Sequence, residues 1–447
     1  MKLQGLGLRD IFCIPNGEAI VKSLIDTDVY KWFMAVFYFD HAEYRDVETT
    51  FKLIIRDKYI RLADIIPEDV LREQLEAARA LCLTPAERSF LAGMTGSDGR
   101  TRLIRSDDFL EEMSRPVLPP FILEKQEGGY VLTFTGPSWK VTFWEIIAMV
   151  IVSELYYYHL ILNAKLSSSE ILSIYTGMVA RLFEKAKALR EERALSFILF
   201  DTRRRQSRFF QEIVMRYMSE MLPSQCLGTS NVLLAMQHGS ANPKGTNAHE
   251  LYMIEGCLAG NDHDRIFQAP FTMSQKWYDY FGPDMSILLP DTYGTAHFYR
   301  HAPASFARDW KGVRPDSMEP NEAVRVTVEW WKRHGVDPMT KMILPSDGLD
   351  TDTMLGCSRE NASAVGTLSY GWGTLVGNDC RGLWPRNDGA FGLFRPFSMV
   401  CKVSEANGVP AVKLSDNPEK ATGPADRVAL FKKIFGEEGS KKQVVVV

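Results

Sequence analysis

Ionisable side chains that could do chemistry stand at several points in the middle of the chain. His249 lies in the stretch Gly-Thr-Asn-Ala-His-Glu at 245–250, between a polar loop and a helical pattern. Its ring nitrogens can attack an electrophile or carry a proton, and Glu250 could orient the ring or bind a metal. A lone histidine at a helix start more often only packs or caps the helix. The other polar clusters therefore decide between these interpretations.

Cationic residues form one such cluster. Arg203, Arg204 and Arg205 follow the apolar run 196–200, and Arg314 follows the run 310–313. Guanidinium groups bind carboxylates and phosphates through paired hydrogen bonds. We expect one of the three adjacent arginines to pair only with acids, on its own helix. The others indicate an anionic ligand.

Acidic residues and glycine-rich turns follow other apolar runs. The acids are Asp291, Asp316, Asp347 and Asp350. Each alone is more often a cap or loop residue, but carboxylates can hold ribose hydroxyls or, through water, Mg²⁺. The glycine-rich segments 228–231 and 371–374 could turn backbone N–H groups towards a phosphate. Together with the arginines, these groups predict a site for a phosphorylated sugar and a metal.

Buried parallel strands are the elements expected to position these groups. Five short apolar runs end in polar clusters, and helical patterns follow: 196–200, 286–290, 310–313, 342–345 and 365–370. Runs of this kind are typical of buried parallel strands, whose carboxyl ends carry the sites of α/β barrels. The sequence therefore predicts an irregular (β/α) barrel, and an open doubly wound sheet remains the alternative.

The flanking regions predict a different kind of structure. The first third is expected to be α+β, with a helix over 29–39 and strands over 47–55, 128–135 and 139–143. Asn407-Gly408 between two apolar runs predicts a hairpin, 425–435 a last helix, and 441–447 a disordered tail or edge strand. We expect an N-terminal α+β domain at 1–165, the barrel at 166–400, and a C-terminal hairpin and helix at 401–447 packing back on the body.

Composition limits the function classes. The net charge of −4 is spread along the chain, which argues against nucleic-acid or membrane binding by bulk charge. The apolar run 144–162 contains two glutamates and three tyrosines, so a buried helix is expected rather than a membrane span. The chain start lacks a secretory h-region, and the seven scattered cysteines show no CxxC spacing. We expect a cytoplasmic protein with reduced thiols and no zinc site.

Taken together, these residues resemble the nicotinate phosphoribosyltransferase family. Eight segments match in order: Thr-Asp-Val-Tyr-Lys at 27–31, Thr-Arg-Arg-Arg at 202–205, Gly-Thr-Ser-Asn at 228–231, Gly-Thr-Asn-Ala-His-Glu at 245–250, Arg-x-Asp-Ser at 314–317, Ser-Asp-Gly-Leu-Asp at 346–350, Gly-Trp-Gly-Thr at 371–374 and Lys-Leu-Ser-Asp-Asn-Pro-x-Lys at 413–420. Each segment alone is a weak signal, whereas eight in register over nearly the whole chain are specific.

The resemblance implies an α+β domain joined to an irregular barrel, in a homodimer whose active sites use both subunits. It implies transfer of the phosphoribosyl group from phosphoribosyl pyrophosphate to nicotinate, coupled to ATP and assisted by Mg²⁺. The products would be nicotinate mononucleotide and pyrophosphate, the first step of NAD salvage from nicotinate. His249 would be the histidine that ATP phosphorylates.

The resemblance also assigns roles to individual residues. Tyr30 would stack on the pyridine ring from across the dimer interface, and the arginines of the 202–205 segment would lie near the nicotinate carboxylate. The residues expected to be catalytic are His249, Asp316 and Asp347. The expected substrate-binding residues are Tyr30, Thr202, Arg203, Arg204, Ser230, Arg314, Ser317, Ser346, Gly373 and Thr374. No residue is assigned as a metal ligand.

Departures from the family pattern keep alternatives open. Asp201 stands where the family usually has Gly, Met318 and Glu319 replace a Gly-Asp pair, and Gly348 replaces a common Asn. One alternative is therefore an inactive paralogue that binds phosphoribosyl ligands. A second is an enzyme for nicotinamide, although an uncharged amide does not need guanidinium recognition. A third is a barrel enzyme for another sugar phosphate, without an ATP effect.

Overall fold

The computed structural model of the protein describes residues 18–239 and 242–442. The strands are β1 Glu48–Ile55, β2 Phe121–Gln126, β3 Gly129–Pro137, β4 Ser196–Leu199, β5 Cys226–Thr229, β6 Ile287–Leu288, β7 Gly312–Val313, β8 Met342–Ile343, β9 Thr367–Trp372, β10 Met399–Ala406 and β11 Val409–Pro410. Of the predicted tail at 441–447, residues 443–447 lie outside the described residues.

The α-helices, also numbered in chain order, connect and cover these strands. They are α1 Val29–Asp40, α2 Ala42–Arg45, α3 Leu62–Ile65, α4 Glu68–Arg79, α5 Pro85–Ala92, α6 Asp107–Met113, α7 Ser138–Val141, α8 Trp144–Asn163, α9 Ser168–Arg190, α10 Arg208–Met221, α11 Val232–Gln237, α12 His249–Leu258, α13 His263–Phe281, α14 Thr295–His301, α15 Ala304–Asp309, α16 Pro320–Arg333, α17 Thr351–Asn361, α18 Thr374–Gly377 and α19 Ala425–Phe435.

An antiparallel sheet of five strands joins both ends of the chain, in the order β11-β10-β1-β3-β2. The predicted hairpin is confirmed: β10 and β11 pair around Asn407 and Gly408. Both turn residues have positive φ angles (48° and 76°), as a tight hairpin of this kind requires. Strand β10 pairs with β1 over its whole length, so the C-terminal region packs back on the N-terminal sheet. The three domain boundaries remain predictions.

One strand prediction in this region is wrong. Residues 139–143 were expected to form a strand, but Ser138–Val141 is a short helix. Strand β3 continues to Pro137, and the Ser138 N–H donates to the Val47 carbonyl at 2.9 Å as the chain turns out of the sheet. Five residues, here three apolar ones alternating with Lys140 and Thr142, are too few to distinguish a strand period from a buried helical turn.

The parallel sheet has six strands in the order β5-β4-β9-β8-β7-β6, and each of the five predicted runs overlaps one of them. A loop connects its two edges: the Lys244 N–H donates to the Thr229 carbonyl at 2.8 Å, and the Asn247 side-chain amide donates to the Ile287 carbonyl at 3.2 Å. The sheet is therefore an irregular barrel, as predicted. Strand β5 was not predicted as a strand, since its segment was interpreted only as a turn.

The long apolar helix α8 lies in the core. The helical stretch from Ser138 to Asn163 is long and apolar enough to cross a membrane, yet 83% of its most apolar window is buried inside the protein. Buried Glu154 on this helix accepts from Arg205 at 2.7 Å, and the Ser153 hydroxyl donates to the Arg205 carbonyl at 2.8 Å. These contacts confirm the prediction of a buried core helix.

Candidate active site

A cavity of about 630 Å³ opens at the carboxyl ends of the parallel strands. Strand β10 and helix α1 of the N-terminal region form the opposite wall. All but two of the predicted site residues line it: Tyr30, Arg203, Arg204, Ser230, His249, Arg314, Asp316, Ser346, Asp347, Gly373 and Thr374. The exceptions, Thr202 and Ser317, are buried behind the wall. Strand ends therefore do bring the predicted residues together.

His249 is the first residue of α12, and both ring nitrogens have partners. Nδ1 lies 2.9 Å from Thr292 Oγ1, while Nε2 lies 3.0 Å from Asp316 Oδ2 and 2.9 Å from Lys413 Nζ. Asp291 Oδ2 is 3.7 Å from the same Nε2 atom. The ring is thus held between a hydroxyl and a cluster of two carboxylates and an ammonium group.

The charge state of His249 follows from this environment. Burial and the neighbouring Lys413 ammonium lower its pKa to about 4, against the opposing effect of Asp291 and Asp316. The pKa of Asp316 is held well below its usual range, because His249 and Arg314 outweigh the effect of burial. The imidazole is therefore neutral at neutral pH, with one nitrogen free of hydrogen and able to act as a nucleophile.

Ser317 supports this cluster from behind rather than facing the cavity. Its hydroxyl donates to Asp291 Oδ2 at 2.6 Å and accepts from the Asp416 N–H at 3.1 Å. Asp416 in turn accepts from the Thr295 N–H and hydroxyl at 2.8 and 2.6 Å. Ser317 thus ties Asp291 to the loop that carries Lys413.

One group of possible metal ligands occurs among the described residues. Ligand atoms of His249, Asp291 and Asp316 lie within 4.8 Å of one another. The Lys413 ammonium, however, stands 2.9 Å from His249 Nε2 and 3.7 Å from Asp291 Oδ2, where it supplies the positive charge itself. Mg²⁺ also prefers oxygen ligands and substrate phosphates. This trio therefore does not fit Mg²⁺.

Asp347 is a better candidate ligand for Mg²⁺ than the trio of His249, Asp291 and Asp316. Its side chain is about a third exposed to the cavity, and one oxygen, Oδ2, pairs with Lys420. Burial raises the pKa of Asp347, although Lys420 opposes this effect. A carboxylate placed so can bind a magnesium ion that arrives with phosphate oxygens.

The three adjacent arginines have three different environments. Arg205 is fully buried and binds Asp26 through two nitrogens at 2.9 Å and Glu154 at 2.7 Å. Arg204 donates Nε and Nη2 to the Met399 carbonyl at 3.0 and 2.8 Å. The expectation that one arginine pairs only inside the protein is met by Arg205, but its acids come from other elements, not from its own helix.

Arg203 is the arginine most available to a ligand. Its side chain is 43% exposed into the cavity, and Nη1 donates to Glu145 Oε1 at 3.1 Å. The other oxygen of Glu145 lies 2.6 Å from Lys31 Nζ and accepts from the Tyr30 hydroxyl at 3.4 Å. Tyr30 thus lines the same cavity as Arg203 of its own chain.

Glu250 does not orient the His249 ring, contrary to one expectation from the sequence. It is buried and accepts from the Thr142 hydroxyl at 2.7 Å and the Tyr38 hydroxyl at 3.2 Å, and it pairs with Lys31. Glu250 therefore holds the first turn of α12 against the N-terminal region, on the side away from Asp316.

Thr202 and Ser230 stabilise the loops behind Arg203. The Thr202 hydroxyl accepts from Gln211 at 3.2 Å, and the Ser230 hydroxyl donates to Asp28 at 2.7 Å. Next to them, Gly373 lies close to the Phe200 carbonyl, since an added Cβ would stand 3.1 Å from that oxygen. Ser230 and Gly373 remain on the cavity wall, whereas Thr202 does not.

Arg314 and Ser346 position Asp316. The Ser346 hydroxyl donates to Asp316 Oδ1 at 2.8 Å, and Arg314 Nη1 lies 3.5 Å from the same oxygen. Arg314 Nη2 donates to the Asn247 carbonyl at 3.0 Å, which connects this side of the site to the loop before His249.

The departures from the family pattern have structural explanations at three positions. Asp201 is buried and accepts from Gln211 at 3.0 Å rather than pairing with Arg203 or Arg204. Glu319 caps α16 by accepting from two backbone N–H groups, at 3.1 and 2.9 Å. Gly348 has φ 59°, a left-handed conformation that Asn also tolerates. Nothing in the structure explains Met318.

Several residues of the site were not predicted from the sequence. They are Lys31, Glu145, Lys413 and Lys420. Asp291, one of the predicted strand-end acids, also belongs to the site. Lys413 and Lys420 belong to the matching segment 413–420 and Lys31 to the matching segment 27–31, so a signal existed for all three lysines. Glu145 lies outside the matching segments, in an apolar helical pattern that indicates only core packing.

Comparison with known proteins agrees with this geometry. A family model described as the nicotinate phosphoribosyltransferase (NAPRTase) family matches residues 195–439, and one described as the N-terminal domain of that family matches residues 25–153.

Solved structures are similar over nearly the whole chain. A nicotinate phosphoribosyltransferase from Vibrio cholerae is 27% identical with a TM-score of 0.78, covering 94% of each chain. A putative nicotinate phosphoribosyltransferase from Saccharomyces cerevisiae is 25% identical with a TM-score of 0.78, covering 94% of this chain and 99% of that one. A third, from Porphyromonas gingivalis, is 24% identical with a TM-score of 0.78 over 93% and 100%, and supports the fold alone.

Proposed function

The chain belongs to the nicotinate phosphoribosyltransferase family, and from this premise we propose that it transfers the phosphoribosyl group of phosphoribosyl pyrophosphate to nicotinate, coupled to ATP through His249. The products are nicotinate mononucleotide, a precursor of NAD, and pyrophosphate. The proposal rests on one observation: the same cavity is lined by Arg203 and Tyr30 and by His249, Asp316 and Lys413.

Arg203 is the residue we assign to the nicotinate carboxylate. A guanidinium group has five N–H donors, and the contact of Nη1 with Glu145 leaves others for a ligand. Arg204 is less suited, because two of its nitrogens already bind the Met399 carbonyl. Tyr30, whose hydroxyl contacts the same Glu145, would place its ring against the pyridine.

The transfer step needs charge stabilisation more than a base. The pyridine nitrogen uses its own lone pair to form the bond to C1′, while the bond from C1′ to the pyrophosphate oxygen breaks and its electrons leave with pyrophosphate. Positive charge develops on the ribose, and Asp316 and Asp347 are the carboxylates that would stabilise it. Mg²⁺ bound at Asp347 would neutralise charge on the leaving pyrophosphate.

The coupling step uses the neutral ring of His249. The nitrogen without hydrogen attacks the γ-phosphorus of ATP, ADP leaves, and the phosphorylated ring carries new negative charge at the cavity wall. The hydrogen on the other nitrogen is donated to Thr292 or Asp316. Water later releases phosphate from the histidine. The added charge would order the cationic side chains around substrate, in particular Lys413.

Two further properties belong to the proposal. We assign the protein to a reducing compartment, the cytoplasm, because the six cysteines of the described residues are free thiols. A homodimer, expected from the family resemblance, also stays a proposal.

The test is product formation with defined omissions. The protein is incubated with nicotinate, phosphoribosyl pyrophosphate and Mg²⁺, with and without ATP, and nicotinate mononucleotide is measured; nicotinamide replaces nicotinate in a parallel reaction. We expect nicotinate turnover that ATP accelerates, and loss of the ATP effect in His249→Ala. His263→Ala is the matched control, since His263 also begins a helix but is exposed. Absence of product in every reaction would contradict the proposed function.

A further inference from the structure

Glu145 contacts both residues that the proposed function assigns to nicotinate. Its Oε1 accepts from Arg203 Nη1 at 3.1 Å, and its Oε2 accepts from the Tyr30 hydroxyl at 3.4 Å. The side chain is only 13% exposed, so its carboxylate faces these partners rather than solvent. A single carboxylate therefore sets the relative position of the guanidinium and the aromatic ring.

A buried lysine fixes Glu145 in turn. Lys31 is fully buried, lies 2.6 Å from Glu145 Oε2, pairs with Glu250, and donates to the Thr142 hydroxyl at 3.0 Å. Burial disfavours the charged lysine, but Glu145 and Glu250 outweigh it and raise its pKa. The lysine stays charged. If Glu145 rotated towards the cavity, the buried Lys31 ammonium would keep only Glu250 as a partner, and this loss would be costly.

The contacts have opposite consequences for an anionic ligand. Alone, a carboxylate beside the binding site would repel nicotinate. Paired with Arg203, it holds a flexible guanidinium in one orientation and lowers the entropy lost when the ligand binds. The pairing uses one nitrogen of Arg203. The side chain is still 43% exposed, so its other nitrogens remain accessible to the ligand.

We propose that Glu145 is a positioning residue that orients Arg203 and Tyr30 for the nicotinate carboxylate and ring, and so sets the preference for nicotinate over nicotinamide. The inference rests on the proposed function. It assigns to Glu145 no contact with the reacting atoms: its effect on nicotinate passes through Arg203.

The experiment compares Glu145→Gln, Glu145→Asp and Glu145→Ala with Glu212→Gln, a control that removes a carboxylate from an exposed ion pair with Arg216. KM for nicotinate, KM for phosphoribosyl pyrophosphate and the nicotinate/nicotinamide ratio of kcat/KM are measured. We expect KM for nicotinate to rise about tenfold in Glu145→Gln and Glu145→Ala, with the other KM changed less than about twofold. Glu145→Asp keeps the charge but is one methylene shorter, so we expect it to resemble Glu145→Gln.

A double-mutant cycle separates positioning from simple electrostatics. In an Arg203→Ala background, Glu145→Ala should leave nicotinate binding unchanged or improve it, because only the repulsion remains to be removed. An additive loss in the double variant would overturn the proposal, as would wild-type values in the Glu145 variants. Thermal melting identifies any variant that fails to fold, and Glu145→Gln, which keeps the size of the side chain, then carries the test.

Failure of the proposed function is recognised separately. Binding of nicotinate is also measured by calorimetry in the wild type and in each variant. A wild type that binds nicotinate without forming product contradicts the proposed reaction, while the variants still test positioning through Kd. A wild type that does not bind nicotinate at all contradicts both.

Discussion

His249 shows how three neighbours decide the chemistry of one residue. Its ring is almost enclosed, with Thr292 on Nδ1 and with Asp316 and Lys413 on Nε2. Burial and Lys413 act in the same direction on its pKa, and together they outweigh the two nearby carboxylates. A histidine that stays neutral at cellular pH can accept a phosphoryl group without first losing a proton to solvent.

The pH dependence of phosphorylation tests this charge state. With its pKa at about 4, His249 is neutral from pH 8 down to about pH 5. We therefore expect phosphorylation by ATP to stay constant over that range, whereas a histidine of ordinary pKa would lose reactivity between about pH 7 and 6. Phosphohistidine is quantified with labelled ATP, and the ring is titrated by NMR.

Lys413→Met supplies the control for this prediction. Removing the ammonium removes one of the two causes of the low pKa, so the midpoint of the His249 titration should move upwards. Acids facing the ring, Asp291 and Asp316, are unchanged in this variant. A titration midpoint near 6.5 for His249 in the wild type would show that its pKa is that of an ordinary histidine. It would mean that burial and Lys413 do not shift this pKa.

Asp201 gives a second prediction, on stability. Burial raises its pKa to about 7, and its Oδ2 atom is buried without a hydrogen-bond partner among the described residues. Because its pKa is higher in the folded than in the unfolded protein, its contribution to stability is lost as pH rises from about 4 through 7. Asp201→Asn, which cannot ionise, should therefore stabilise the protein by about 2 kcal/mol more at pH 8 than at pH 5.

Urea unfolding at the two pH values measures this difference. Asp98→Asn is the control, since Asp98 is an exposed carboxylate whose pKa is lowered to about 2. That variant should show no gain at the higher pH. An equal effect of Asp201→Asn at both pH values would mean that Asp201 is not protonated in the folded protein.

At the scale of elements, the barrel was predictable because its polar residues follow its strands. The runs ending at Asp291 and at Ser346 contain strands of only two residues, too short for a periodicity argument. They were found from the abrupt change from apolar to polar residues, which marks the end of a buried parallel strand. Residues 139–143 carried no such boundary, and the prediction there was wrong.

The part of the site contributed by other elements was harder to predict. Glu145 and Lys31 lie in apolar helical patterns, and the distance between them along the chain gives no sign that they pair. Likewise, nothing in three adjacent arginines indicates which one turns inwards, since that depends on Asp26 and Glu154 from distant segments. Tertiary packing, rather than local pattern, places these partners.

The interior ion cluster of Arg205 leads to a prediction at this scale. Arg205 joins the loop after β4 to Asp26 before α1 and to Glu154 on α8. Arg205→Met would leave buried Glu154 without a cation and Asp26 with only Arg208, which lies 3.1 Å away, so we expect a loss of about 3–5 kcal/mol in unfolding free energy. Arg216→Met, at an exposed ion pair on α10, should cost less than about 1 kcal/mol. A small loss for Arg205→Met would show that the network is not what joins these elements.

For the whole molecule, the cavity exists because two sheets from different parts of the chain face each other. Arg204 of the barrel binds the Met399 carbonyl at the start of β10, and Lys420 from the C-terminal segment pairs with Asp347. The polypeptide therefore closes its own site: the N-terminal helix, the barrel and the C-terminal segment all contribute to one wall or another.

This closure within one chain makes a prediction about subunits. The family resemblance led to the expectation that Tyr30 crosses a dimer interface, whereas in the structure Tyr30 and His249 line the cavity of the same chain. Tyr30→Ala, expected to lose nicotinate binding, and His249→Ala, expected to lose the ATP effect, are coexpressed with different tags, and the doubly tagged species is purified. Activity is measured as the ATP-dependent part of turnover at a nicotinate concentration below KM, a measure by which each variant alone is expected to be inactive. If each site is complete within one chain, every site in that heterodimer carries one lesion and stays inactive. If Tyr30 is exchanged between subunits, one of the two sites is intact and about half of the wild-type activity per dimer returns. We expect no recovery, and recovery near one half would show that the protein shares its sites between subunits.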